Sequence, residues 1–263
     1  MYKRIKRAAI TAAVVILLAL FSLVLALRLN YVPAVLMYHS VAPGADPSSR
    51  LAVSPATFDR QMRMLKTRGF NVIPAEELAR NVKEGKRMPL HTVAITFDDG
   101  YKDNYTHAFP ILRTYGLPAT VFMITGEAGR QDRLSWDEIR EMRDSGFIDF
   151  GSHTISHCIL PEVASSEELA GELSGSKAAL EKHLGGPVKM FAYPCGFFDE
   201  RIKEAVRKAG YEFSFATNPR IKTADDDLMA LKRIRISQHS GSSFAFWFRA
   251  SGYYNFIRER RHR

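Results

Sequence analysis

The chain has 263 residues, 46% of them hydrophobic and 25% charged, which is room for one large domain or two small ones around a substantial core. Two cysteines, Cys158 and Cys195, exclude a scaffold stapled by disulfides. Of the net charge of +9, four positive charges lie on Lys3, Arg4, Lys6 and Arg7 and a net three on the tail 258–263, so the nearly balanced body excludes nucleic-acid binding by the folded domain.

In chain order, the basic segment 1–7 precedes an uncharged run from Ala8 to Leu27, rich in Leu, Ala, Val and Ile. As a helix rising ~1.5 Å per residue, such a run reaches across the ~30 Å hydrocarbon core of a bilayer. The basic flank would stay cytoplasmic, so the expectation is a transmembrane anchor over 8–27 that places the remainder outside. The rival reading is a cleaved signal peptide, since Val24-Leu25-Ala26 has the small-residue character of a cleavage site. Both readings lead to an oxidising compartment outside the cytoplasm, on the periplasmic side or cell surface or secreted. A catalytic domain is expected over 28–257 and a basic tail over 258–263.

Within the domain, β-rich runs alternate with helical patterns. Strands are expected at Ala34–Tyr38, Thr92–Phe97, Ala119–Ile124, Ile148–Ser152, Lys189–Tyr193, Phe213–Thr217 and Leu231–Ile236. Ser54-Pro55 reads as N-cap and first helical residue before the apolar stripe Phe58, Met62, Leu65. Ser135 and Glu138 form a capping box, and Gly69, Gly116, Gly146 and Gly210 stand where helices should end. Seven strands alternating with helices imply an α/β fold, a distorted (β/α) barrel of about seven parallel strands. Its chemistry would sit at the C-terminal ends of the strands.

Three segments meet that criterion. Asp98 and Asp99 follow the second strand, and two adjacent carboxylates repel unless each has a partner. His153 and His157 follow the fourth strand, and at i and i+4 on a helical turn both imidazoles would face one ion. One carboxylate and two imidazoles make a three-ligand site with positions open for catalysis. After the fifth strand, the turn Tyr193-Pro194-Cys195-Gly196 would aim a backbone N–H into the barrel mouth.

Thr96-Phe97-Asp98-Asp99-Gly100, Ser152-His153-Thr154-Ile155-Ser156-His157 and Tyr193-Pro194-Cys195-Gly196 resemble the motifs of the NodB-type polysaccharide deacetylases, carbohydrate esterase family 4. The resemblance covers about Pro33 to Ser237 and implies hydrolysis of N-acetyl groups on an amino-sugar polysaccharide: poly-N-acetylglucosamine, peptidoglycan or an exopolysaccharide. It implies Asp98 as general base and Asp99, His153 and His157 as ligands of a divalent metal, zinc foremost, with cobalt or nickel as alternatives. Cys195 would supply an oxyanion-binding N–H, with Tyr193 and Pro194 beside the substrate.

Two departures stand out. Ala192 occupies the place of an Arg that orients the base in many members, and no late Leu-x-His supplies the general acid. Val35-Leu36-Met37-Tyr38-His39-Ser40-Val41 is similar to the opening motif of the branch that includes the poly-N-acetylglucosamine deacetylases, where an early His serves as acid. His39 is the match, with His239 behind it. The departures also leave open a carbohydrate-binding homologue with impaired catalysis. Two His and one carboxylate further describe non-haem Fe(II) oxygenases, although those ligands usually sit on a β-sandwich. Cys158 and Cys195 could form a disulfide or stand as two free thiols, and the sequence leaves the pairing open. Trp136, Trp247, Tyr253 and Tyr254 are read as core more readily than as sugar platforms.

Overall fold

The computed structural model describes residues 2–29, 31–217 and 227–254; the expected tail 258–263 and the domain end at 257 lie outside them. Helix α1 (Tyr2–Leu29) leads to β1 (Ala34–Tyr38), then β2 (Ser40–Val41), β3 (Ala52–Val53), α2 (Pro55–Thr67), β4 (Asn71–Val72), α3 (Ala75–Lys83) and β5 (Thr92–Phe97). A π-turn (Asn104–Ala108) opens α4 (Phe109–Tyr115), followed by β6 (Ala119–Met123), α5 (Trp136–Asp144), β7 (Ile148–Ser152) and α6 (Ser166–Leu184). The chain continues through β8 (Met190–Ala192), α7 (Glu200–Lys208), β9 (Phe213–Ala216), β10 (Leu231–Arg235) and α8 (Ser243–Ala250).

All strand pairings are parallel, and β1 pairs with both β10 and β5. That double pairing closes a seven-strand ring in the order β1, β10, β9, β8, β7, β6, β5, with the short β4 added at the start of β5. The ring is uneven: β7 and β8 are joined through Ser152 and Phe191 alone, whereas β1 and β5 pair over five residues. The expected barrel is present, and its strands fall within one or two residues of the sequence reading at each end.

Alternation along the strands divides the side chains into two clusters. Val35, Ala94, Phe122, Ala192, Phe215 and Leu231 point into the barrel and join Leu78 and Ala79 of α3, which close its floor. Gly151 makes room for this filling, since a Cβ there would stand 2.5 Å from the Phe122 ring. The opposite faces, including Leu36, Tyr38, Ile95, Phe97 and Phe191, pack against the helices. Phe58, Met62 and Leu65 of α2 are fully buried there, each contributing about 1.5–3 kcal/mol of apolar burial.

The helix ends follow the expected chemistry. The Ser54 hydroxyl accepts from the Thr57 N–H, and Ser135 and Glu138 form a reciprocal capping box. Gly69, Gly116, Gly146 and Gly210 all adopt the left-handed conformation that ends a helix.

The N-terminal expectation fares differently. Helix α1 exposes Leu17, Leu18 and Phe21, yet among the described residues no helix is long and apolar enough to cross a membrane. The spanning anchor expected over 8–27 is therefore not supported among the described residues.

Candidate metal and catalytic centre

The inward-facing positions of neighbouring strands converge at the C-terminal mouth. Residues 35 and 37 on β1, 94 and 96 on β5, and 231, 233 and 235 on β10 share the interior side, and 39 and 98 follow one residue past the ends of β1 and β5. His39 and Asp98 are the next inward pair beyond Val35–Ala94 and Met37–Thr96, and the Asp98 N–H donates to the Tyr38 carbonyl at 3.0 Å. Both side chains are buried, 8% and 3% exposed.

Asp99 falls on the outward side by strand parity. The chain turns it back: Asp99 has φ 70° and Gly100 φ 67°. Its Oδ1 then lies 3.7 Å from His153 Nε2 and 3.6 Å from His157 Nε2, and the three ligand atoms lie within 4.8 Å of one another. The two histidines do not sit on a helical turn, as expected from their spacing. Residues 153–157 form an irregular loop in which Thr154 (φ 68°) and His157 (φ 60°) are left-handed. Among the described residues, four of the five left-handed non-glycine positions are Asp99, Thr154, His157 and Cys195, so strain of order 1 kcal/mol each is concentrated at this mouth.

The loop is held from three sides. Glu172 on α6 accepts from the Ile155 and Ser156 N–H groups at 2.9 and 3.0 Å. Thr125 and Gly126 donate to the carbonyls of Thr154 and Ile155, and Thr154 Oγ1 accepts from the His157 N–H. A Cβ on Gly126 would meet the Ile155 carbonyl at 2.6 Å, so only glycine lets the two loops meet.

Protonation follows from these partners. His153 Nδ1 lies 2.7 Å from the Ala192 carbonyl, an acceptor only, so Nδ1 carries the proton and Nε2 presents its lone pair to Asp99. Burial pushes both His153 and His157 below the ordinary imidazole pKa, keeping them neutral, as metal ligands must be. Asp99 Oδ1 is buried with no hydrogen-bond partner, and burial raises its carboxyl. An orphaned carboxylate oxygen facing two imidazole Nε2 atoms is the donor set of a divalent cation, so the residues present fit the metal that the motifs imply.

Asp98 has the opposite surroundings. Burial alone would raise its carboxyl, but Arg233 foremost, with His153 and His39, outweighs burial and holds it down to about 2. Arg233, 1% exposed, donates from Nη1 to Oδ1 at 2.6 Å and from Nη2 to Oδ2 at 2.7 Å. This residue was missed in the sequence, where the Arg expected at position 192 reads as lost. The one signal present was an Arg at the inward register of a predicted strand, in phase with Leu231.

His39 is pushed down to about 4 by burial, against the pull of Asp98, and its Nδ1 has no partner among the described residues. His39 is therefore neutral near pH 7 in the free chain. His239 lies on the turn Gln238–Ser240 and lines a cavity that none of Asp98, Asp99, His153 and His157 lines. Cys195 is exposed, with φ 55°, in the turn Pro194–Gly196. Tyr193 does not face the mouth: it lies on the outward side of β8, fully buried, stacked on Phe198, its hydroxyl donating to the Met229 carbonyl. Pro194 is buried as well. Cys158 and Cys195 are both free thiols. Trp136 stacks on His183 at 3.9 Å, away from the centre.

Comparison with known proteins gives a consistent result. Residues 85–214 match the polysaccharide deacetylase family. The chain is 33% identical to the YxkH protein of Bacillus subtilis over 211 residues, 80% of this chain and 74% of that protein. It is 30% identical to the poly-β-1,6-N-acetyl-D-glucosamine N-deacetylase of Staphylococcus aureus, over 71% of this chain and 68% of that one. The fold superimposes on the Streptococcus pyogenes deacetylase PplD, solved in complex with acetate, with a TM-score of 0.72 and 31% identity over 79% of this chain and 93% of that one.

Proposed function

Because the chain belongs to the polysaccharide deacetylase family, we propose that this deacetylase removes N-acetyl groups from an amino-sugar polysaccharide outside the cytoplasm, with a divalent metal held by Asp99, His153 and His157. The observation that carries the reading is the buried, unpartnered Oδ1 of Asp99 facing two imidazole Nε2 atoms, with Asp98 ionised beside it.

A cation bound there would polarise the amide carbonyl and acidify a water. The rest of the reaction falls to side chains of this chain. Asp98, fixed by two hydrogen bonds from Arg233, takes a proton from the attacking water. The C–N bond breaks, acetate leaves, and the amine nitrogen must gain a proton. His39, neutral at rest and beside Asp98, is the group placed to receive that proton and pass it on. The Cys195 N–H on its left-handed turn is assigned to the carbonyl oxygen.

The poly-β-1,6-N-acetylglucosamine deacetylase among the relatives makes that polymer the first substrate to test. Zinc is the first metal, with cobalt and nickel behind it. The test is acetate release from poly-β-1,6-N-acetylglucosamine and from N-acetylglucosamine oligomers, with each metal and after chelation. Release that persists in Asp98→Asn, or that ignores chelator, would defeat the mechanism. The parallel barrel removes the support for an oxygenase site on a β-sandwich. The Arg233–Asp98 pair removes the main reason to read the chain as a catalytically impaired binder.

The exported location rests on the basic segment 1–7 followed by the apolar residues of α1, which would act as an export signal, retained or cleaved. Cell fractionation checks it: recovery of the mature chain solely from the cytosol would overturn it.

A further inference from the structure

The second feature of the mouth is a basic cavity. About 480 Å³ in volume, it is lined by Arg50, Arg235, Arg249 and His239 together with Ser48 and Ser237, and no carboxylate lines it. None of the three guanidinium groups is within ion-pair distance of a carboxylate among the described residues. Arg50 and Arg235 are exposed and Arg249 lies over the Tyr254 ring, so three cations share one open hollow that no carboxylate lines, a surface that favours an anion.

Its position ties it to the reaction. Arg235 stands two residues beyond Arg233 on the same side of β10, one step nearer the mouth, and pairs in register with Met37, two residues before His39. The charge of Arg235 is felt at His39. Arg50 and Ser48 belong to the loop that returns from β2 to β3, and Arg249 to α8, so both converge with the C-terminal end of β10 on this cavity. Neutral N-acetylglucosamine has no group that needs three guanidinium partners.

We propose that this cavity is a subsite for an anionic substituent, a carboxylate or a phosphate, carried by the amino-sugar polymer next to the residue that loses its acetyl group. The proposal rests on the deacetylase reading for its setting. It makes the preferred substrate an acidic polymer rather than a neutral one.

The test uses the metal-loaded full chain and three oligomers of equal length: neutral N-acetylglucosamine, N-acetylglucosamine alternating with glucuronic acid, and N-acetylglucosamine joined through phosphodiesters. The expected result is a kcat/KM for one acidic oligomer about tenfold above the neutral one at low salt, carried by KM and shrinking as salt rises. The favoured acidic oligomer identifies the anion. In Arg235→Gln/Arg249→Gln that ratio should fall to about one with the thermal midpoint kept; if the double variant fails to fold, Arg50→Gln is read in the same way. Equal or lower turnover of both acidic oligomers, or a preference that survives the substitutions, overturns the subsite. If no oligomer is hydrolysed, calorimetry separates the two claims. Arginine-dependent preference for acidic oligomers then keeps the subsite while the deacetylase reading falls, and indifference to charge ends the subsite.

Discussion

Asp98 and Asp99 are neighbours in sequence, but their surroundings shift the two carboxyls in opposite directions. Strand parity sends Asp98 into the barrel and onto Arg233, which holds it ionised; the left-handed turn sends Asp99 to two neutral imidazoles and leaves one oxygen unpartnered. Replacing Arg233 by Met should lower kcat by at least about 10²-fold, because Asp98 loses its fixed orientation. The sign of the pH effect follows from burial. With the guanidinium gone, desolvation acts unopposed and raises the Asp98 carboxyl, so the acid limb of the pH–rate profile should move to higher pH. In the wild type the Asp98 pKa lies below its unfolded value, so its contribution to stability is present above about pH 4 and lost as pH falls toward about 2. Breaking this buried pair should also cost about 3–5 kcal/mol, measurable by urea unfolding. For His39→Gln the discriminating measurement is leaving-group dependence. Amide hydrolysis should fall about 10²-fold, while hydrolysis of 4-nitrophenyl acetate, whose leaving group needs no proton, should fall far less. Equal losses on both substrates would remove His39 from the acid role.

At the level of elements, the candidate metal site is only as good as the loop 153–157. No regular hydrogen-bond ladder supports it; Glu172 and the Thr125–Gly126 turn do. Gly126→Ala should push the Ile155 carbonyl outward and weaken zinc affinity by about 10–100-fold, read by competition with a chromogenic chelator. Glu172→Ala should do the same from the opposite side. The helices answer to different physics. Ser135→Ala removes one half of a capping box and should cost about 1 kcal/mol in thermal stability without altering metal affinity, since α5 supplies no ligand.

The closed ring matters at the scale of the whole molecule because every inward-facing strand end reaches one mouth. An arginine missing from β8 can be supplied from β10, since Ala192 and Arg233 both point inward beside Asp98's strand end. Chelation should therefore both abolish activity and lower the melting temperature, because a ligand bound only to the folded state stabilises it by mass action. Readdition of zinc should restore both. A melting temperature indifferent to metal would separate the Asp99–His153–His157 cluster from any cation.

The sequence by itself determined the seven barrel strands, several helix caps and, through the family resemblance, the cluster Asp99, His153 and His157. These depend on local periodicity, on turn residues and on short motifs, all readable in one dimension. It also placed His39 at a strand end. Tertiary structure alone decided the partner of Asp98, because the Arg233–Asp98 contact joins residues 135 positions apart and requires the ring to close. It decided that Tyr193 faces the helices, since parity assigns a side only after the strand is placed in the sheet. It also decided that the histidines meet on a strained loop rather than a helical turn, because spacing of i and i+4 fixes a common face only when the backbone between is helical.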